Sequence, residues 1–123
     1  MNKSPWIVEN YVKKDGTEPV EEFLDSLNVK DEVKMLRCIE LLEEFGIHLP
    51  GPHKKSLSDG LLELRAKVST NITRIIYFHY ENGRFILLHG FTKKDQKTPI
   101  AEIERAKRYR EDYLERNRGG KRS

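Results

Sequence analysis

Apolar and polar residues alternate through much of the second half of the chain, which is the pattern of a half-buried strand. In LLELRAKV, residues 61–68, every second position is apolar from the second residue onward, and the positions between carry charges. The runs ITRIIYFHY and RFILLHGF then flank Asn82-Gly83, the dipeptide most typical of a two-residue hairpin turn. This half therefore predicts three consecutive antiparallel strands.

The first half has a different period. Residues 6–12 predict a short strand, Thr17 is placed to cap a helix with Pro19 in its first turn, and Asn28 caps a second helix. In that second helix, apolar residues recur at three- and four-residue steps until Gly46 ends it. The pattern predicts an amphipathic core helix whose apolar residues are Val33, Met35, Leu36, Cys38, Ile39, Leu42 and Phe45.

The remaining segments complete a single domain. HLPGPHKK, residues 48–55, is predicted to be a loop, and IAEIERAKRYREDYLE, residues 100–115, a helix. The fold class is α+β, an antiparallel sheet packed by helices, with the order β-α-α-β-β-β-α. We assign residues 1–116 to one domain and residues 117–123 to a frayed basic tail.

Composition narrows the class of protein. The chain has 123 residues, of which 37% are hydrophobic and 35% charged, so we expect a soluble domain with a highly charged surface. No apolar run approaches the roughly 20 residues needed to cross a bilayer, and the N-terminus lacks a signal-peptide core. We therefore expect a cytoplasmic protein without a membrane partner. Cys38, the one cysteine, excludes an internal disulfide and a cysteine zinc site.

Charge is segregated along the chain. Residues 1–53 carry 6 basic and 11 acidic side chains, residues 54–97 carry 9 and 4, and residues 105–123 carry 8 and 3. A basic second half suits a protein that meets a polyanion on one face, although basic tails also serve only for solubility.

The turns predict which residues face one another across the strands. The hairpin pairs are Glu81 with Arg84, Tyr80 with Phe85, Phe78 with Leu87, Ile76 with His89 and Arg74 with Phe91. A two-residue turn at Ser69-Thr70 would also set Arg65 directly across from Arg74. Facing arginines repel unless an anion, a carboxylate or an RNA phosphate, lies between them. The residues leave open the alternative that both arginines pair with Glu63 or other acids on a solvated face.

Other chemistries find little support in the sequence. The histidines, His48, His53, His79 and His89, do not fall at metal-ligand spacing, and we expect neither a metal nor another cofactor. Phosphate-binding glycine loops and serine or cysteine nucleophile motifs do not occur. His89, at the edge of an apolar strand, is more typical of a packed residue than of a base.

The run from Lys54 to Leu114 resembles the HigB-like, phage-related branch of the RelE/ParE toxin superfamily. Its most specific pieces are GLLELR, TRIIYF and LHGFTKKDQKTPIAEIERA. The resemblance implies a toxin of a type II toxin–antitoxin pair, with an antiparallel sheet cradled by helices. The RelE and HigB branches cleave mRNA in the ribosomal A site without a metal. Partners implied are the ribosome, mRNA and a cognate helix-turn-helix antitoxin, with which the toxin would form a hetero-oligomer.

The resemblance also carries over residue by residue. Catalytic roles fall on Arg65, Arg74, Lys93, Lys94 and Lys97, with His89 as a competing acid or base. Apart from the resemblance, we assign RNA-binding roles to the basic residues Lys54, Lys55, Lys67 and Arg108. Glu63 stands where RelE has a strand lysine, and Pro99 and Ile100 stand where it has an aromatic residue, so the identity of the general base stays open.

Two other functions fit the same fold. A ParE-like toxin would inhibit a protein target such as DNA gyrase without catalysis, and an RNA-binding module would use the basic face without turnover. Clustering of Arg65, Arg74 and the lysines after the last strand on one face favours the endoribonuclease.

Overall fold

The computed structural model describes residues 5–120 as an α+β domain, which confirms the predicted fold class. One five-stranded sheet has the strand order β1-β5-β4-β3-β2; β1 runs parallel to β5, so the sheet is not wholly antiparallel as predicted, and the other neighbours are antiparallel. The elements are β1 (Ile7–Asn10), α1 (Pro19–Ser26), α2 (Val29–Phe45), β2 (Lys54–Ser56), β3 (Leu61–Val68), β4 (Asn71–Tyr80), β5 (Arg84–Lys93) and α3 (Ile100–Gly120).

The observed order is thus β-α-α-β-β-β-β-α, and the predicted order lacked β2. This strand lies in the segment that was predicted to be a loop, and it pairs Lys54 with Leu64 and Ser56 with Leu62 on β3. Three residues beginning with two lysines carry no strand period of their own. Pairing with the edge of β3 therefore determines the strand, and a local sequence pattern does not.

Helices pack on both faces of the sheet, because alternate residues of the central strands are apolar on both sides. On one face, Met35 and Leu42 of α2 pack against Leu64 and Ile75. On the other face, Ala106 and Tyr113 of α3 pack in a second cluster, whose strand residues are Leu61, Ile76, Phe78, Ile86, Leu88 and Phe91. The sheet therefore lies between two hydrophobic cores, one on each face, and few side chains of its central strands are exposed to solvent.

The first helices begin and end near their predicted positions. The Asn28 side chain accepts a hydrogen bond from the Asp31 amide at 2.8 Å and caps α2, and Gly46, with φ +54°, ends it as predicted. Thr17 does not cap α1, because the helix starts at Pro19 and Thr17 instead donates to the Asp15 carboxylate.

The apolar stripe of α2 is wider than the core that it covers. Met35, Cys38 and Leu42 are buried as predicted, but Val33 is 58% exposed and Leu36 42% exposed. Phe45 is also exposed. The helix is therefore amphipathic as predicted, but Val33, Leu36 and Phe45 do not belong to the core and present apolar surface to solvent next to the buried face.

Two of the five predicted hairpin pairs form. Tyr80 pairs with Arg84 across a loop of residues 81–83, so the pairs nearest the turn are shifted by one residue. An irregularity between Ile76 and Tyr77, where Leu88 is the extra residue, cancels that shift. Beyond it, the predicted pairs Ile76 with His89 and Arg74 with Phe91 are confirmed.

The C-terminal helix is longer than predicted. It runs to Gly120, so residues 117–120 continue α3 and do not form a frayed tail; residues 121–123 of that predicted tail lie outside the described residues. Between residues 5 and 120, no helix is long and apolar enough to span a membrane.

Candidate functional site

Arg65 and Arg74 lie directly opposite each other on adjacent strands, as the Ser69-Thr70 turn predicts. Both side chains lie on the sheet face that α3 covers, next to the loop that leads into that helix. Arg74 has no exposed surface, and the Arg65 side chain is only 16% exposed. Facing like charges destabilise a sheet, and more so out of water. The pair therefore needs a compensating negative charge or dipole.

Glu63 supplies that charge from two residues before Arg65 on the same strand. Its side chain is fully buried, with Oε1 3.0 Å from Arg65 Nε, although the angle is too poor for a hydrogen bond. Glu63 Oε2 accepts a hydrogen bond from the hydroxyl of Thr98 at 2.8 Å. Of the arrangements left open by the sequence, pairing with Glu63 is present, but in the interior and not on a solvated face.

Residues 94–99, the segment between β5 and α3, form a cover over the arginines, which we call the 94–99 loop. Thr98 in this loop is buried, and Arg74 Nη1 lies 3.5 Å from its hydroxyl oxygen. The Arg74 guanidinium also lies over the Phe91 ring, 5.5 Å from the centroid. The loop thus separates Arg74 from solvent.

The main-chain carbonyl of Gln96 is the meeting point of three cations. It accepts hydrogen bonds from Arg65 Nη2, from Arg74 Nη1 at 3.4 Å and from Lys55 Nζ at 3.5 Å. Arg65 Nη1 also donates to the Gln96 side-chain oxygen at 3.4 Å. One neutral carbonyl oxygen therefore occupies the most positive point of the site.

Arg74 remains incompletely paired in this arrangement. Within the described residues, its Nε and Nη2 atoms are buried without a hydrogen-bond partner. Burial lowers the pKa of Arg74, the charge of Arg65 lowers it further, and Glu63 and Asp95 oppose the shift. Arginine stays protonated at neutral pH despite such a shift, so the site keeps N–H groups that an incoming anion can use.

The predicted lysines surround this cluster to different degrees. Lys55 on β2 reaches it directly, whereas Lys54 donates to the Ile47 carbonyl at 3.3 Å. The predicted catalytic lysines of the last strand and loop, Lys93, Lys94 and Lys97, are all exposed near Gln96 in the chain. The predicted RNA-binding Lys67 is exposed on β3, and Arg108 is exposed on α3.

His89 belongs to a neighbouring cluster under α3. Its Nε2 atom lies 2.5 Å from Glu102 Oε1, and its ring stacks on Phe91 at 5.8 Å between centroids. Burial lowers the pKa of His89, although Glu102 opposes the shift. The imidazole is therefore neutral at pH 7 and held by a carboxylate, as expected of a packed histidine.

A groove of about 690 Å³ lies beside the arginine pair, between α2 and β3. Its lining includes apolar atoms of Cys38 and Leu41, and basic side chains stand along it. Arg65 and Gln96 also contribute to its wall, so the groove opens onto the cluster. The other lining residues are Val33, Lys34, Arg37, Pro52, His53, Ala66, Lys67 and Ile72.

Sequence reasoning missed three residues of these two clusters, Gln96, Thr98 and Glu102, and named Glu63 only as a partner on a solvated face. The strand alternation contained a signal for Glu63, because residues two apart on a strand share a face. Among the described residues, no group of three or more histidine, cysteine, aspartate or glutamate side chains is placed to hold a metal ion.

A family model for phage-derived Gp49-like proteins (DUF891) matches residues 22–111, which is most of the chain. The chain therefore belongs to this family. The match includes β3, β4, β5 and the 94–99 loop, so the arginine cluster lies within the matched part of the chain. A search of curated proteins found no match to the chain.

Proposed function

We propose that this member of the Gp49-like family is the toxin of a toxin–antitoxin pair and cleaves mRNA on the ribosome. The single observation that supports the proposal is the convergence of Lys55, Arg65 and Arg74 on one oxygen atom. Forked guanidinium groups together with an ammonium group are the donors that recognise phosphate.

The chemistry that follows needs no cofactor. A general base accepts the proton of the RNA 2′-hydroxyl, whose oxygen attacks the adjacent phosphorus; the bond to the 5′-oxygen breaks, and that oxygen leaves with a proton. Negative charge gathers on the phosphoryl oxygens in the transition state, where Arg65 and Arg74 would bind it. Each well-placed donor of this kind contributes roughly 3–4 kcal/mol to catalysis.

Proton transfer in this mechanism falls to the exposed lysines Lys93, Lys94 and Lys97. They lie in or next to the loop that covers the arginines, and their ammonium groups can protonate the leaving oxygen. His89 is less suited to that role, because its ring is largely buried and Glu102 holds its Nε2 atom.

The partners in this proposal are the ribosome, mRNA and a helix-turn-helix antitoxin. The exposed apolar strip at Val33 and Leu36 supports a protein partner, since exposed apolar side chains at one site are typical of interfaces. In this proposal the protein acts in the cytoplasm, where ribosomes are, and it forms a hetero-oligomer with its antitoxin.

One observation favours a second candidate, the ParE-like toxin that binds a protein target such as DNA gyrase. Arg74 is fully buried beneath the 94–99 loop, as a purely structural arginine would be. An RNA-binding module without turnover would likewise leave Arg74 covered. Both alternatives predict that the loop stays closed in the active protein.

Translation in a cell-free extract, followed by mapping of mRNA 5′ ends, separates these functions. The ribonuclease stops reporter translation and produces new mRNA ends only when ribosomes are present. A gyrase inhibitor leaves translation intact, and an RNA-binding module reduces translation without new ends. Either of the last two results would reject the proposed activity.

A further inference from the structure

The acceptor at the centre of the arginine cluster is poorly matched to its donors. A carbonyl oxygen has two lone pairs and no formal charge, yet the Gln96 carbonyl accepts from Lys55, Arg65 and Arg74. The long contacts of Lys55 and Arg74 show that the oxygen satisfies these donors incompletely.

The charges around this oxygen do not balance. Three cations contact it, and one buried carboxylate, Glu63, contacts one of them. The Nε and Nη2 atoms of Arg74 are buried without a partner in the described residues. A buried donor without an acceptor is unfavourable, and it is a specific sign that another acceptor belongs there.

We infer that the Gln96 carbonyl oxygen occupies the position of a phosphate oxygen, and that RNA enters the site by displacing the 94–99 loop from Lys55, Arg65 and Arg74. A phosphodiester brings a full negative charge and two non-bridging oxygens, so it can pair with donors that one carbonyl leaves unsatisfied. The free protein is then a closed form of the site.

The anchor of the closed form is Thr98. Its hydroxyl donates to buried Glu63 and lies 3.5 Å from Arg74 Nη1, so it fixes the end of the loop next to α3. Gln96 itself is exposed apart from these contacts. Opening therefore costs the Gln96 contacts and the Thr98 hydrogen bond, and no apolar side chain of residues 94–97 has to leave the core.

This inference rests on the proposed function only for the identity of the anion as RNA. Binding and loop displacement can be measured without cleavage. The probe is a 2′-O-methyl RNA dinucleotide, which carries one phosphodiester and lacks the attacking hydroxyl. Inorganic phosphate serves as a second probe that reports anion binding without a base.

The experiment follows the full-length ¹⁵N-labelled protein by NMR during titration. The Arg65 and Arg74 Nε–H signals should shift, and in the same titration the heteronuclear NOE values of residues 94–97 should fall as the loop leaves. Thr98→Val should raise the apparent affinity roughly threefold to tenfold, the effect of losing one hydrogen bond from the closed form.

Matched variants separate this effect from general loosening. Thr98→Ser keeps the hydroxyl and should bind the probe as the wild type does. Thr92→Val makes the same substitution at an exposed threonine outside the loop and should also leave binding unchanged.

Two results would overturn the inference. The first is a shift of the arginine signals while residues 94–97 keep their NOE values, because the anion would then bind with the loop in place. The second is the absence of any arginine shift at millimolar probe in both the wild type and Thr98→Val. Neither result depends on whether the protein cleaves mRNA on ribosomes, so the proposed function can fail separately.

Discussion

Glu63→Gln tests whether one buried carboxylate offsets the repulsion between the facing arginines and so stabilises the fold. The substitution keeps the shape of the side chain and the acceptor for Thr98, but it removes the charge 3.0 Å from Arg65 Nε. At that distance, and with an effective dielectric constant of about 20, the lost attraction is roughly 5–6 kcal/mol before desolvation is counted. Removing one partner of a buried pair typically costs about 3–5 kcal/mol, which is our expected loss of unfolding free energy.

The matched control is Glu9→Gln. Glu9 Oε2 lies 2.7 Å from Arg84 Nη1, closer than the buried pair, but the two side chains are 36% and 43% exposed. We expect this loss to stay below about 1 kcal/mol, because solvent screens the pair. Urea unfolding at neutral pH measures both. Equal, small losses for the two variants would refute the role assigned to Glu63, since burial would then make no difference.

A double substitution tests whether the stability lost in Glu63→Gln comes from the uncompensated charge of Arg65. Replacing Glu63 and Arg65 together by Leu and Met leaves an apolar pair in a largely buried site, which is often neutral or stabilising relative to the ion pair. We expect the double variant to recover most of the stability lost in Glu63→Gln. If it is less stable than the single variant, packing and not charge compensation dominates at this position.

Three further predictions concern Arg74, His89 and the independence of cleavage from metal ions. Arg74→Lys keeps the positive charge but loses the forked donor geometry of the guanidinium, so the variant should fold, as judged by circular dichroism, and cleave mRNA more slowly. Arg74→Ala should lower the cleavage rate by a factor on the order of 10²–10³. The folded-state pKa of His89 is lowered from 6.5, so the unfolded chain binds more protons below that pH, and the free energy of unfolding should fall as the pH drops from 7.5 to 5.5. Urea unfolding should show a smaller drop for His89→Gln than for the wild type. The control is His79→Gln, at an exposed histidine. Cleavage on intact ribosomes should persist in EDTA, and strict dependence on one added divalent ion would contradict the metal-free chemistry.

The sequence predicted the framework of the site because turn chemistry and strand alternation are local. Ser69-Thr70 fixed the pairing of Arg65 with Arg74, and the hairpin brought Phe91 beside Arg74. The register near Asn82-Gly83 was off by one residue, and only the irregularity at Leu88 returned the strands to the predicted pairing. A bulge of this kind has no signal in an apolar run, where every residue suits a strand.

What could not be predicted is the burial of the site. Alternation places Glu63 on the face of Arg65, but whether that face is exposed to solvent depends on the 94–99 loop, whose sequence KDQKTP predicts an exposed segment. The basic residues of α3 show the same limit, since Lys107 pairs with Asp59 at 2.7 Å and Arg110 donates to the Asp59 carbonyl. Charge counted along the chain therefore overestimates the charge available to a polyanion.

The burial of the arginines also accounts for the lysines at the end of β5 and in the 94–99 loop. Lys93, Lys94 and Lys97 stay exposed while the Gln96 carbonyl between them turns inward to the arginines. A loop that leaves the arginines when RNA binds, as we infer, needs side chains that are solvated in both forms, and lysine is hydrated in both while it also attracts RNA. Under the proposed function, the loop can then be both the cover of the phosphate site and part of the surface that attracts RNA, because the Gln96 carbonyl faces the arginines while the lysine side chains face solvent.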